Sequence, residues 1–350
     1  MINRRAAVLA AAVLVLSGCA EEERDLPPTD VSGLRLAGEQ VHRSVFFAKP
    51  SPDGTRMIYN VPTGTCVGEV DGSGEYCVEL GPSTPEVSSA AWSPDGTRIA
   101  FTEPLALGDP DLWVLDVDSG EQRNLTEDDA GNVGLMESVP DDAVVDVWPS
   151  WSADGEAIRF LRRQGAGMEL MTIPASGGEP TSLRSLDGDV EQLWSVAWSD
   201  DRVAWLLGPD DGPYVTWIAG IEDGDPTEVL RTDHYADLSF SPDGEYLLIA
   251  GGDPDDGGEP GSSRVVRVSG GEPVPVATGD VVHPVWSPEG HAIAYVELPG
   301  TLRVVGGPGA EPKELGPVVG LDGLTDQLFW GPDTLLVSTA KQLTALTVEG

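Results

Sequence analysis

Seven times along the chain a short apolar strand runs into a Ser-Pro-Asp-Gly-like turn and straight out into a second strand. The copies begin at Phe47, Ala90, Pro149, Val196, Leu238, Pro284 and Leu328, and their acidic turn residues are Asp53, Asp95, Asp154, Asp201, Asp243, Glu289 and Asp333. Successive acids are 42, 59, 47, 42, 46 and 44 residues apart, against the roughly 40 to 45 of a four-stranded blade. A unit of that size cannot bury its apolar face alone, so the units must stack. The pattern predicts an all-β chain folded as a seven-bladed β-propeller of four-stranded antiparallel blades.

A second repeat alternates with the first. Small-residue turns followed by an acid and a short apolar strand begin at Gly72, Ser119, Gly177, Asp223, Gly270 and Gly309. They mark the hairpin between the third and fourth strands of each blade, where Gly supplies positive φ and a following Pro suits an outer strand. A seventh copy is missing, because the chain stops at Gly350 where that turn should begin. The orphan segment Val31–Leu36 (VSGLRL) is therefore expected to pair with 342–348 as the outermost strand of the last blade, closing the ring and removing exposed edges.

These turns resemble the Trp-Ser-Pro-Asp-Gly repeat of the WD40-like propellers, typified by the C-terminal domain of the translocation protein TolB and by the propellers of prolyl oligopeptidases. The resemblance covers about residues 31–350 and implies the fold. It implies little about activity, because propellers host unrelated functions. Neither a TolB-type α/β domain in front nor a peptidase domain behind is expected in this chain.

The first residues read as an export signal. Arg4 and Arg5 precede the apolar stretch 6–16, which is too short to span a bilayer, and Leu16-Ser17-Gly18-Cys19 is a lipobox. The combination resembles a bacterial lipoprotein signal. That resemblance implies cleavage after residue 18, a diacylglyceryl thioether on Cys19 and acylation (palmitate) of its new amine, an anchor of two or more chains. Residues 19–30 then read as a polar tether, and 31–350 as the propeller. The expected location is the extracytoplasmic face of the cell membrane.

The other two cysteines fit that compartment. Cys66 and Cys77 flank Asp71-Gly72, and a two-residue turn there would place them directly opposite each other. A disulfide is expected, although this register would make them a hydrogen-bonded pair.

Ten tryptophans supply much of the core. Trp92, Trp151, Trp198, Trp286 and Trp330 all precede the turn, a position that suits packing between blades. The formal charge is −39, which disfavours nucleic acid and anionic lipid as partners. The expected partner is an envelope protein or a small ligand, membrane contact is confined to the lipid, and the ring is read as a monomer.

Candidate binding residues follow from where the long loops fall. Segments 104–110, 208–213, 251–262 and the insertion 126–145 all lie on the face opposite the Asp-Gly turns, and extra length on a rigid scaffold favours function. The insertion explains the 59-residue step. The candidate face combines Asp128, Asp129, Met136, Asp141, Asp142, Trp148 and Trp194 with the channel-wall positions Asp237, His283 and Gln327. A cluster of His42, His234, His283 and Gln327 resembles the metal site of oligogalacturonate lyases, but the motifs of those enzymes are absent. No Ca²⁺ loop with the required ligand spacing occurs, and no catalytic motif such as Gly-x-Ser-x-Gly or His-Glu-x-x-His. The chain therefore reads as a non-catalytic binding scaffold with no cofactor and no metal. The alternative is a carbohydrate-active propeller lyase or hydrolase with its site at the channel mouth.

Overall fold

The repeated turns share one hydrogen-bonding scheme. In the second blade Ser93 Oγ donates to Asp95 Oδ1 (2.6 Å) and accepts from Arg98 N (2.9 Å), while Asp95 Oδ1 accepts from Thr97 N (3.1 Å). Ser51 with Asp53, Ser152 with Asp154 and Ser241 with Asp243 repeat it. The following glycine sits at φ 68–72° in these four turns, the left-handed region that a Cβ disfavours. The acids thus cap their own turns.

That capping has a pH signature. The Ser93 hydroxyl, followed by the Thr97 amide, holds the Asp95 carboxyl down to about 2, and Ser51 and Ser152 lower Asp53 and Asp154 in the same way. A carboxyl depressed in the folded state stabilises fully above its unfolded value of about 3.9 and loses that contribution as pH falls toward 2. Asp95→Asn is therefore expected to be less stable than the parent at pH 6, with the gap closing by pH 2. Urea unfolding of both at the two pH values checks this; an unchanged gap refutes it.

The computed structural model describes residues 29–43, 46–79, 87, 89–102, 110–127, 144–164, 167–186, 193–208, 212–251, 263–277, 281–318, 327–338 and 343–349. They form seven four-stranded antiparallel sheets arranged as a β-propeller. Blades I to VI span 46–79, 91–124, 144–186, 193–232, 236–275 and 281–317, and blade VII takes 327–349. We call the end of the blades bearing the Asp-Gly turns the turn face and the opposite end the loop face.

Each junction between neighbouring blades has its own apolar cluster, seven in all. Ile58 with Phe101 and Leu115 fills I–II, and Ala100 with Phe160 and Ile173 fills II–III. Leu161 with Trp205 fills III–IV, Leu206 with Leu247 fills IV–V, and Leu248 with Tyr295 fills V–VI. Val296 with Leu335 and Tyr59 with Leu336 complete the circle. The turn tryptophans stitch these junctions together. The indole N–H of Trp92 donates to Lys49 O, that of Trp151 to Ala91 O and that of Trp286 to Ser239 O, at 2.9–3.1 Å. The same residue type at the same repeat position makes the same bond to the preceding blade, which is a packing role.

The ring is closed by the first strand among the described residues. Arg35–Arg43 pairs with Leu343–Glu349 as the outermost strand of blade VII, with Arg35 opposite Glu349, Leu36 opposite Val348 and Arg43 opposite Leu343. Leu34 and Leu36 pack on the VI–VII cluster. The closure is as the sequence implies, but the strand begins later than Val31. Residues 31–34 turn instead, with Leu34 N bonded to Val31 O. Lys313 Nζ takes the carbonyls of Val31, Ser32 and Leu34 at 3.0, 2.5 and 2.6 Å, so they are occupied by an ammonium rather than a neighbouring strand. Just before this turn, Thr29 N donates to Gly306 O (2.7 Å) and His291 N to Thr29 Oγ1 (3.1 Å). The chain therefore enters the ring on the turn face of blade VI.

Cys66 and Cys77 are directly opposite and disulfide-bonded. The hairpin between them differs from a two-residue turn. Gly72 N bonds Glu69 O and Glu69 N bonds Ser73 O, a three-residue loop closed by a glycine at φ 92°. Farther out, Val67 faces Tyr76 and Cys66 faces Cys77, so the pairing is as anticipated although the turn is not. The cysteine Cα atoms are 4.0 Å apart, on the side of the non-hydrogen-bonded spacing of about 4.5 Å rather than about 5.5 Å. Replacing both cysteines by serine is expected to cost about 2 to 3 kcal/mol, read as a lower denaturation midpoint that dithiothreitol does not lower further.

Candidate functional site

The inner strands carry a recurrent irregularity near the loop face. In blades I, III and VI two inner-strand residues oppose one on the second strand: 47 and 48, 148 and 149, and 283 and 284. In blade IV Leu193 pairs with Leu207 and Ser195 with Leu206, so Trp194 is the extra residue. A bulge leaves its residue unpaired and re-aims its side chain. Blades V and VII stay regular here, with Asp237 opposite Ala250 and Gln327 opposite Ser338.

The two bulge tryptophans have different surroundings. Trp148 adopts φ 57°, a region unfavourable to a bulky side chain, and its half-buried ring packs on the III–IV cluster. Trp194 is 44% exposed, the one exposed large apolar side chain among the described residues.

Trp194 is nevertheless held firmly. Its Nε1 donates to Gly208 O (2.9 Å). Tyr214 and Tyr235 meet it edge-on, with centroids 5.9 and 6.1 Å away and interplanar angles of 69° and 66°. Such perpendicular arrangements suit aromatic quadrupoles. Glycine makes the room: a Cβ on Gly208 would lie 2.2 Å from the Tyr214 ring. Next door, a Cβ on Gly251 would lie 3.0 Å from His234 Nε2. The Tyr235 hydroxyl donates to Asp237 Oδ1. Burial, then the Asp237 carboxylate, pushes that hydroxyl well above the usual phenol range, so Tyr235 stays a neutral donor. Ser195 Oγ, buried behind Trp194, accepts Leu238 N (3.1 Å) and ties blade IV to blade V.

Among the positions singled out by sequence, the structure thus joins Trp194 and Asp237 through Tyr235. Asp128, Asp129, Met136, Asp141 and Asp142 lie outside the described residues, as does Cys19. Half-buried Gln327 lies on the inner strand of blade VII, and the backbone of His283 lies in the blade VI bulge. The four-residue metal cluster does not assemble. His42 pairs with Thr344 on the outermost strand of blade VII, whereas Gln327 is on the innermost. The reason is the closure itself, which carries residues 35–43 to the rim. Among the described residues one group of three metal-type ligands is close enough to share an ion, Cys66, Glu75 and Cys77, and its cysteines are spent in the disulfide. Tyr214 and Tyr235 are the site residues that sequence reasoning missed; an aromatic at each blade junction flanking an off-repeat Trp was the available signal.

A hollow of about 470 Å³ opens on the turn face, lined by Thr29, Val31, Leu34, Trp330 and Val348 among others. One wall of it is the entering chain and the rest comes from blades VI and VII.

Comparison with known proteins agrees with the fold. Residues 49–186, which span blades I to III, match the family model described as the dipeptidyl peptidase IV N-terminal region. The chain is 26% identical over 227 residues to the uncharacterized peptidase YuxL of Bacillus subtilis (strain 168), covering 59% of this chain and 29% of that protein. It is 24% identical over 172 residues to dipeptidyl-peptidase 5 of Porphyromonas gingivalis, covering 45% and 23%. The chain thus spans less than a third of the length of these curated relatives. Among solved structures, an oligogalacturonate lyase in complex with manganese superposes with a TM-score of 0.60 at 14% identity, over 92% of this chain and 95% of that one. The hydrazine synthase of Kuenenia stuttgartiensis gives 0.57 at 13%, over 87% and 95%. At these identities the likeness is one of fold.

Proposed function

We propose that this protein is a lipid-anchored, extracytoplasmic propeller whose loop face binds a peptide segment of a partner without itself catalysing a reaction. The observation that carries this reading is Trp194: a large apolar ring locked by three neighbours yet left 44% exposed. Rigid aromatic anchors of this kind concentrate binding energy. The peptide class is supported by the names of the two sequence relatives, both peptidases. A lyase-like reading draws support from fold alone, and the histidine set it calls on is split between the rim and the inner strands.

The route of the chain suits the anchor. Thr29 docks on the turn face, and Trp194 lies on the loop face. The ten residue steps from Cys19 to Thr29 reach at most about 35 Å. A lipid on Cys19 therefore attaches the ring from its turn face, on the side opposite Trp194.

Two substitutions test the two halves of the reading. Cys19→Ala is expected to move the protein from the membrane fraction to the soluble one; retention in membranes refutes the anchor. Trp194→Ala is expected to keep the ring folded and lose at least about tenfold in capture of its crosslinked partner, the loss typical of a hot-spot side chain. Undiminished capture refutes the loop-face site.

A further inference from the structure

Resting on the reading of the loop face as a peptide site, we propose that Trp194 and its two tyrosines receive the cationic head of a basic side chain, the guanidinium or ammonium of an arginine or lysine on the bound peptide. The bulge at blade IV brings the ring to the surface, and what it offers there is narrow. Its N–H is committed to Gly208 O and the Tyr235 hydroxyl to Asp237. Those two donors are thus committed within the fold, while the ring itself is still 44% exposed. A sugar stacking on an indole also needs nearby donors and acceptors for its hydroxyls, and these two are already taken.

A cation needs only the face and a negative surround. Residues 232–237 supply Asp233, exposed, and Asp237, with no lysine or arginine. The neighbouring Arg231 is engaged with Glu228 at 2.5 and 2.6 Å. Beyond the cluster, the chain carries 59 acidic against 20 basic side chains, a field that draws cations from a distance. The edge-on tyrosines fix the ring before binding, so little conformational entropy is lost on contact.

The test compares two blocked tripeptides, acetyl-Gly-Arg-Gly-amide and its citrulline counterpart, which keeps the shape and removes the charge. Binding to the full chain in detergent is followed by calorimetry, with glucose and cellobiose as a further arm. The arginine peptide is expected to bind about threefold to thirtyfold more tightly than the citrulline one, with the preference shrinking as salt rises. Trp194→Ala abolishes the preference and Trp194→Phe keeps part of it, while both variants keep a cooperative melt and the parent's circular-dichroism spectrum. Equal affinity for the two peptides, both lost in Trp194→Ala, overturns the cation proposal and leaves the peptide-site reading standing. Trp194-dependent binding of the sugars alone overturns both. A preference that survives Trp194→Ala overturns the assignment to this cluster, and so does the absence of any preference at low salt.

Discussion

Deleting residues 29–43 is expected to abolish cooperative unfolding and to make the protein aggregate. The deletion strips the outermost strand from Leu343–Glu349 and leaves a row of unpaired backbone groups on blade VII. It also uncovers the VI–VII cluster where Leu34 and Leu36 pack, and removes the carbonyls that occupy Lys313. The loss is comparable with a whole domain's margin of about 5 to 15 kcal/mol. Size-exclusion chromatography and a circular-dichroism melt check it, and a monomeric truncation with an unchanged melt sinks the idea. A rescue follows from the register. Arg35 lies opposite Glu349, so grafting the deleted segment behind Gly350 through a short turn should restore the strand in place, and with it the sharp transition.

The second large effect separates two tryptophans. Trp286 is 6% exposed, sits at the V–VI junction against Tyr246 and His291, and donates to Ser239 O. Trp286→Ala removes the packing, opens a cavity and orphans that carbonyl, for about 3 to 5 kcal/mol. Trp194→Ala removes a ring that is 44% exposed, with one hydrogen bond and two edge contacts, so the expected cost is smaller, about 1 to 2 kcal/mol. Urea denaturation of the two variants side by side measures the contrast. Equal losses would make Trp194 a packing residue like the others and remove the reason to read it as a binding element.

The architecture was legible because it rests on local chemistry repeated many times. A Ser two residues before an Asp, with Gly next, writes a hairpin wherever it occurs, and a Trp in front of it finds the same carbonyl in the preceding blade. The missing seventh outer strand was legible by counting. Where that strand starts was not, because Lys313, about 280 residues away, captures the carbonyls of 31–34. The three-residue turn at Val70–Gly72 escaped notice since a second irregularity near Gly74, at φ 63°, returns the hairpin to the anticipated pairing.

The site was only half legible for a related reason. Trp194 and Asp237 were recognisable as polar or aromatic groups on the inner strands. The bulge that turns Trp194 outward and the contacts of Tyr214 and Tyr235 come from two strands of blade IV and the residue just before the inner strand of blade V. No local motif records that meeting. His42 shows the converse error: a residue placed near the channel by its distance from a turn belongs to a strand that folds back onto the rim.

Sharing one blade between strands so far apart in sequence, 35–43 and 343–349, also imposes an order on biosynthesis. Strand 35–43 leaves the ribosome long before its partner 343–349 and stays unpaired for that interval. Six blades can take shape meanwhile, but the seventh waits for residues 343–349 to emerge. A product cut short by premature termination therefore lacks the partner for its own beginning, and the cell's quality-control proteases meet it with that segment unprotected.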